Sequence, residues 1–227
     1  MKFEDRIHAI ARCPLFHRLD EHTREHLARY ASSHIYEADR MIFQQGEPGG
    51  SLFLITWGAV RRSISTALGR EFMLDVVGQG DLLGLLSFLD GSPYETACIT
   101  LHRTQVLRIN SSALSPAFRT SIESCFTSAL YAQLRMTTTL LGDMTMYPLE
   151  MRLARLLLRF DRRAQVRPVI SSDKLHQGLL ALMANATRPK VNKQLQQFGT
   201  LGAIRLEAGA VFITEAKILE KIAAKQN

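Results

Sequence analysis

The densest chemistry in the chain lies in the segment Leu180-Ala181-Leu182-Met183-Ala184-Asn185-Ala186-Thr187-Arg188-Pro189-Lys190-Val191-Asn192-Lys193-Gln194-Leu195. Val191, Leu195 and Phe198 recur at helical spacing and form an inward face. That leaves Arg188, Lys190 and Lys193 outward, near the start of the same helix. Leu180, Ala181 and Met183 bury a preceding short helix, and small Ala181 allows close approach of the second. Asn185 suits the left-handed turn between them, and Thr187 suits the N-cap. Two short helices joined this way are a helix-turn-helix. Its second helix meets base edges and phosphates through its N-terminal half. Arginine fits guanine with two hydrogen bonds; lysine serves guanine or phosphate. The predicted DNA contacts are Thr187, Arg188, Lys190, Asn192 and Lys193, and Pro189 offers no side-chain hydrogen bond. The competing reading is an ordinary helical hairpin with a cationic surface.

Charge favours the first reading. Residues 1–142 hold 14 basic and 14 acidic side chains, whereas residues 143–227 hold 14 basic and 7 acidic. The whole net charge of +7 therefore belongs to the C-terminal part, the asymmetry expected of a nucleic-acid-binding module joined to a neutral one. Other chemistries find little support. Cys13, Cys98 and Cys125 are an odd count without a C-x-x-C, which speaks against a disulfide framework, a zinc ribbon or an iron–sulfur cluster. His22 and His26 share a helix face but lack further ligands, so no metal and no cofactor is expected. No nucleophile–base pattern suggests an enzyme.

The elements that must position this module follow. With 46% hydrophobic and 22% charged residues among 227, the composition is globular. The longest apolar run, Leu82 to Leu89, is too short for a membrane span. The first residues show no secretory h-region. A soluble, cytoplasmic protein is expected. Residues 3–12 and 20–31 read as helices, the second capped by Asp20. From Tyr36 to Asn110 short apolar runs alternate with glycine, and Gly46, Gly58, Gly69 and Gly80 recur at hairpin spacing. Residues 116–141 contain no glycine. There Phe118, Ile122, Cys125, Ala129, Ala132, Met136 and Leu140 step by threes and fours, a stripe expected to meet a second copy of the chain. Gly142-Asp143 is expected to end this helix and form a hinge. A further helix spans 149–163, Arg167-Pro168 breaks it, and helices at 173–184 and 187–198 follow. A two-stranded wing turns at Ala208-Gly209, before a last helix over 215–224.

Order and spacing together resemble transcription regulators of the cyclic-AMP receptor protein and fumarate–nitrate regulator (Crp/Fnr) family. The N-terminal likeness runs through Ile42-Phe43-Gln44-Gln45-Gly46-Glu47, Leu52 to Ile55, Gly58, Gly69-Arg70-Glu71, Gly78-Gln79-Gly80-Asp81 and Gly84. The C-terminal likeness runs through the helix-turn-helix and wing. The resemblance implies an α+β fold: an N-terminal double-stranded β-roll of the cyclic-nucleotide-binding type, a long dimerisation helix and a C-terminal winged helix-turn-helix. The corresponding domains are residues 1–114, 115–142 and 143–227. The dimer contacts would be Phe118, Ile122, Ala129, Met136 and Leu140.

The ligand cassette departs from the family. Nucleotide-binding members hold the ribose with a Glu and the cyclic phosphate with an Arg. Here the degenerate cassette offers Gly84, Leu85, Leu86, Glu95 and Thr96, with Leu85 at the Glu position and Glu95 at the Arg position. A carboxylate there repels the phosphate. The expectation is a homodimer on a near-palindromic duplex, unresponsive to cyclic AMP, with an unknown effector, RNA polymerase as a further candidate partner, and no membrane. The alternative is a sensor or scaffold whose C-terminal module binds a protein.

Overall fold

The computed structural model describes residues 1–17, 19–166 and 176–224. Helices α1 (Phe3–Ala11) and α2 (Glu21–Tyr30) come first. Asp20 caps α2: its Oδ1 accepts the Thr23 N–H at 2.7 Å, as the sequence predicts. Eight strands follow: β1 (Ala31–Tyr36), β2 (Met41–Phe43), β3 (Ser51–Trp57), β4 (Ala59–Ser65), β5 (Glu71–Gly78), β6 (Leu82–Leu83), β7 (Ala97–Thr100) and β8 (Thr104–Asn110). They form two four-stranded sheets, ordered β1-β8-β3-β6 and β2-β7-β4-β5. All the resolved pairings within them are antiparallel.

Strand β3 shows why the sheets stack. Phe53 and Ile55 point into a core with Phe43, Val60, Tyr94 and Val106. Leu52 and Leu54 point the other way, into a second core with Ile10, Leu27, Phe88 and Phe126. Both faces of β3 are covered, so its sequence is continuously apolar rather than alternating. Gly58 has φ +102° between β3 and β4. A Cβ there would lie 2.4 Å from Thr104 Oγ1, so this turn needs glycine for space as well as for backbone sign.

Two elements escape the sequence reading. Strand β1, Ala-Ser-Ser-His-Ile-Tyr, has little β-branched content and continues a helical pattern. It is held by its ladder to β8, tertiary pairing overriding weak propensity. Helix α3 (Leu85–Asp90) lies in the apolar run Leu82 to Leu89, to which the sequence reading assigned no helix.

Helix α4 (Pro116–Met146) is longer than predicted. It passes through Gly142 and Asp143, which form no break. Pro148 ends it, because proline disfavours helical geometry in the residue before it. The stripe predicted to meet a second copy packs largely on the chain itself. Ile122 and Phe126 are buried in the helix-side core, with Phe118 and Ala129 packed against it. Met136 is half-buried and Leu140 buried. A sheet with one uncovered apolar face takes the first amphipathic helix available, and intrachain contact wins.

Helix α5 (Leu149–Val166) follows, then α6 (Gln177–Met183), α7 (Arg188–Thr200), β9 (Ile204–Glu207), β10 (Ala210–Ile213) and α8 (Ala216–Ala223). The expected Arg167-Pro168 break and the start of the 173–184 helix lie outside the described residues. Two compact units emerge: Met1–Ser65 with Val76–Met136, and Thr66–Asp75 with Thr137–Asn227. Among the described residues no helix is long and apolar enough to cross a membrane.

Candidate DNA interface and effector cassette

Helices α6 and α7 form the predicted pair. Leu179, Leu180, Ala181 and Met183 are buried on α6, and Val191, Leu195 and Phe198 on α7 are fully so. Asn185 adopts φ +48° between them. The Ala186 N–H donates to the Ala181 carbonyl at 3.1 Å, closing the turn. Thr187 occupies the N-cap, but its hydroxyl makes no capping bond. Pro189 stands in the first turn, where its missing N–H is harmless. Thr187, Arg188, Lys190 and Lys193 are exposed, and Asn192 is half-buried with its side-chain oxygen unpaired. The structure therefore gathers the predicted contacts on the outer side of α7 and its cap.

Arg188 differs in detail from the expectation that it projects outward from the first turn. Its guanidinium lies over α6, with Nη2 3.0 Å from where a Cβ on Gly178 would stand. The missing side chain at Gly178 makes room for it. His176 was not read from sequence as a cap. Its Nδ1 accepts the Leu179 N–H at 3.2 Å and caps α6, a role usually taken by Ser, Thr, Asp or Asn. It also bridges to Ala210 of the wing. In the wing, β9 and β10 pair antiparallel around Ala208 and Gly209, both at positive φ, the geometry of a type I′ turn. Helix α8 packs on α5, burying Leu219 and Ile222.

The cassette occupies the turn from β6 into α3. Gly84 caps α3 at φ +72°, and a Cβ there would stand 2.7 Å from the Ser51 carbonyl and 2.8 Å from the Tyr94 ring. Tyr94 stacks on Phe43 with ring centroids 3.9 Å apart. Its hydroxyl donates to the Ser51 carbonyl and accepts the Ser51 N–H. At the end of α3 the Ser92 N–H binds Asp90 Oδ1 at 2.9 Å, holding that exposed carboxyl below the usual aspartate range. The cassette side chains divide sharply. Leu85 is buried in the helix-side core with Leu52, Phe88 and Phe126. Leu86 and Glu95 are exposed, and Thr96 is buried. None of the five carries a positive charge. The apolar residues Leu85 and Phe88 are thus core residues of the roll.

A feature with no sequence signal joins the last turn of α4 to the middle of α5. Asp143, 1% exposed, accepts from Arg155 Nε at 2.6 Å, and Arg159 Nη1 lies 3.5 Å from its other oxygen. Arg155 also stacks on Tyr147 at 4.7 Å. Elsewhere, His26 stacks on Phe118 at 4.0 Å, Cys13 and Cys98 are buried and Cys125 is half-buried.

Comparison with known proteins follows the same division. Residues 33–121 match the cyclic nucleotide-binding domain, and residues 151–222 match the Crp-like helix-turn-helix domain. The chain is 30% identical over 185 residues to a CRP-like cAMP-activated global transcriptional regulator of Mycobacterium tuberculosis, covering 79% of this chain and 83% of that one. It is 28% identical over 212 residues to the cyclic AMP receptor protein of Thermus thermophilus, covering 92% and 96%. Among solved structures, the c-di-GMP responsive global regulator CLP of Xanthomonas campestris superposes with a TM-score of 0.74 at 20% identity, over 86% of this chain and 99% of that one. FixK2 of Bradyrhizobium japonicum gives 0.70 at 20% identity, over 87% and 99%. At those identities the structures speak for the fold alone. The chain belongs to the Crp/Fnr family of transcription regulators, with a cyclic-nucleotide-binding-type β-roll, a long helix and a helix-turn-helix DNA-binding domain.

Proposed function

We propose that the protein acts as a homodimer on near-palindromic duplex DNA and does not respond to cyclic AMP. The observation that carries the DNA reading is helix α7, apolar on its packed side at Val191, Leu195 and Phe198 and cationic on its exposed side at Arg188, Lys190 and Lys193. Residues 1–114 serve as the effector unit, α4 as the dimerisation element and the remainder as the DNA-binding module.

The dimer reading rests on a face of α4 other than the expected one. Tyr131, Leu134 and Leu141 are 61%, 66% and 63% exposed. With Thr138 and Thr145 they step 3, 4, 3 and 4 along the helix, the heptad spacing of a two-stranded seam. An identical helix about a two-fold axis covers such a seam with itself. Leu134→Glu should then convert a sedimenting dimer into a monomer, and Met136→Glu should do so less completely. A wild type that sediments as a monomer at tens of micromolar contradicts the dimer.

The cyclic-AMP reading rests on Leu85 and Glu95. The Mycobacterium relative is named as cAMP-activated. This chain lacks both the carboxylate and the guanidinium that the family uses to hold the nucleotide, and Leu85 is committed to the core. A gel shift on random duplex tests the DNA reading. Phosphate-driven binding must fall steeply with salt, and salt-independent or absent binding contradicts it.

A further inference from the structure

A cavity of about 850 Å³ opens in the second unit, lined by the end of α4, by α5 and by the end of α8. Met146, Pro148, Met151 and Leu158 give it apolar wall. Arg155, Arg159 and Arg162 line one side at successive turns of α5. Against these three cations stand two carboxylates, Asp143 and Glu220. Asp143 is nearly fully buried, and its Oδ2 has no hydrogen-bond partner. Arg159 approaches that oxygen only to 3.5 Å, too far for a well-formed bond. A buried acceptor left unsatisfied costs the full loss of its hydration, so a donor is wanted here. Burial draws the Arg159 pKa below its ordinary value. Asp143 and Asp75 oppose that shift, and Arg155 reinforces it.

We propose that this cavity binds a small organic oxyanion that also carries an N–H or O–H donor. The arginines take the phosphate or carboxylate, for which the guanidinium fork is suited. Asp143 Oδ2 takes the donor, and the Met and Leu wall takes the carbon body. The volume lies in the range of ligand-sized pockets, about 300–1,000 Å³. An arriving oxyanion competes with Asp143 for Arg155 and Arg159, and so acts on the contact that ties the last turns of α4 to α5. The site is independent of whether α7 binds DNA.

The test uses the full chain with methyl-labelled methionine and two probes at matched ionic strength, glycerol 3-phosphate and L-malate. Each pairs an oxyanion with a hydroxyl, one through phosphate and one through carboxylate. A saturable shift of the Met146 and Met151 methyls, with Met41 and Met73 unmoved, is expected for at least one probe. Arg159→Gln should weaken it about tenfold or more, the loss of one charged hydrogen bond. Arg162→Gln, at an exposed position, should weaken it without touching the Asp143 ion pairs. Unmoved Met41 and Met73 signals in both variants check that the fold persists. Several results overturn the proposal: no saturation with either probe, equal response to sulfate, unchanged affinity in both variants, or shifts produced by random duplex DNA alone. The last assigns the arginines to backbone phosphate.

Discussion

The turn into α3 and the turn between α6 and α7 are both built on a left-handed residue, Gly84 in one and Asn185 in the other. Both are backed by fully packed apolar side chains. They differ in what the remaining positions carry. Around Asn185 the outward positions Arg188, Lys190 and Lys193 keep the charge that nucleic acid requires. Around Gly84 the positions that would meet a cyclic nucleotide carry a buried leucine and an exposed carboxylate. The backbone scaffold and the recognition chemistry are separable. Gly84 is fixed by the Ser51 carbonyl and the Tyr94 ring and Leu85 by the core it packs in, whatever ligand the roll binds, whereas exposed Glu95 is free to follow the ligand.

The largest effects should come from the packed halves of the two turns. Phe198→Ala removes a fully buried ring from the helix-turn-helix and should cost about 3–5 kcal/mol. Leu85→Ala should cost about 2–5 kcal/mol, although a ligand residue would cost almost nothing. Denaturant melts of both variants measure this. A harmless Leu85→Ala would place that side chain outside the core and break the comparison.

Next are the outward residues. Arg188→Ala should lower affinity for the specific site by about 1–3 kcal/mol and leave random DNA nearly unchanged. Lys193→Ala, as a phosphate contact, should weaken both and reduce the salt slope by about one. Binding titrations at several salt concentrations separate the two. An unchanged ratio of specific to random affinity in Arg188→Ala would remove that residue from base reading.

How far the sequence discloses these features depends on how local their causes are. The helix-turn-helix was legible because its turn, cap position and apolar spacing lie within about twenty consecutive residues. The same holds for the Asp20 cap and the Ala208-Gly209 turn. Strand β1 was not legible, since its stability comes from β8, 68 to 78 residues away. The packing of the α4 stripe on its own chain was not legible for a similar reason. The most apolar stripe of α4 is the one that the β-roll covers, and the exposed stripe through Tyr131, Leu134 and Leu141 is diluted by Thr138 and Thr145. The Asp143 ion pairs join residues 12 and 16 apart across a proline break, a spacing with no helical signature.

The smallest effect concerns Asp20. Its carboxyl is held below the ordinary value chiefly by the Thr23 N–H. A depressed folded-state pKa means that the cap stabilises α2 above the ordinary aspartate range and is lost as pH falls through the lowered value. Acid titration followed at α2 amides should therefore show the Thr23 signal moving only below the usual range. Movement at the ordinary value, or none in wild type relative to Asp20→Asn, contradicts the cap.

The separation of scaffold from recognition is tested most directly by duplex-binding anisotropy on an operator recovered from genomic DNA, with and without millimolar cyclic AMP. The account predicts one isotherm for both, steeply weakened by salt. A nucleotide-dependent gain in affinity would contradict it, because the cassette would then still bind cyclic AMP despite Leu85 and Glu95.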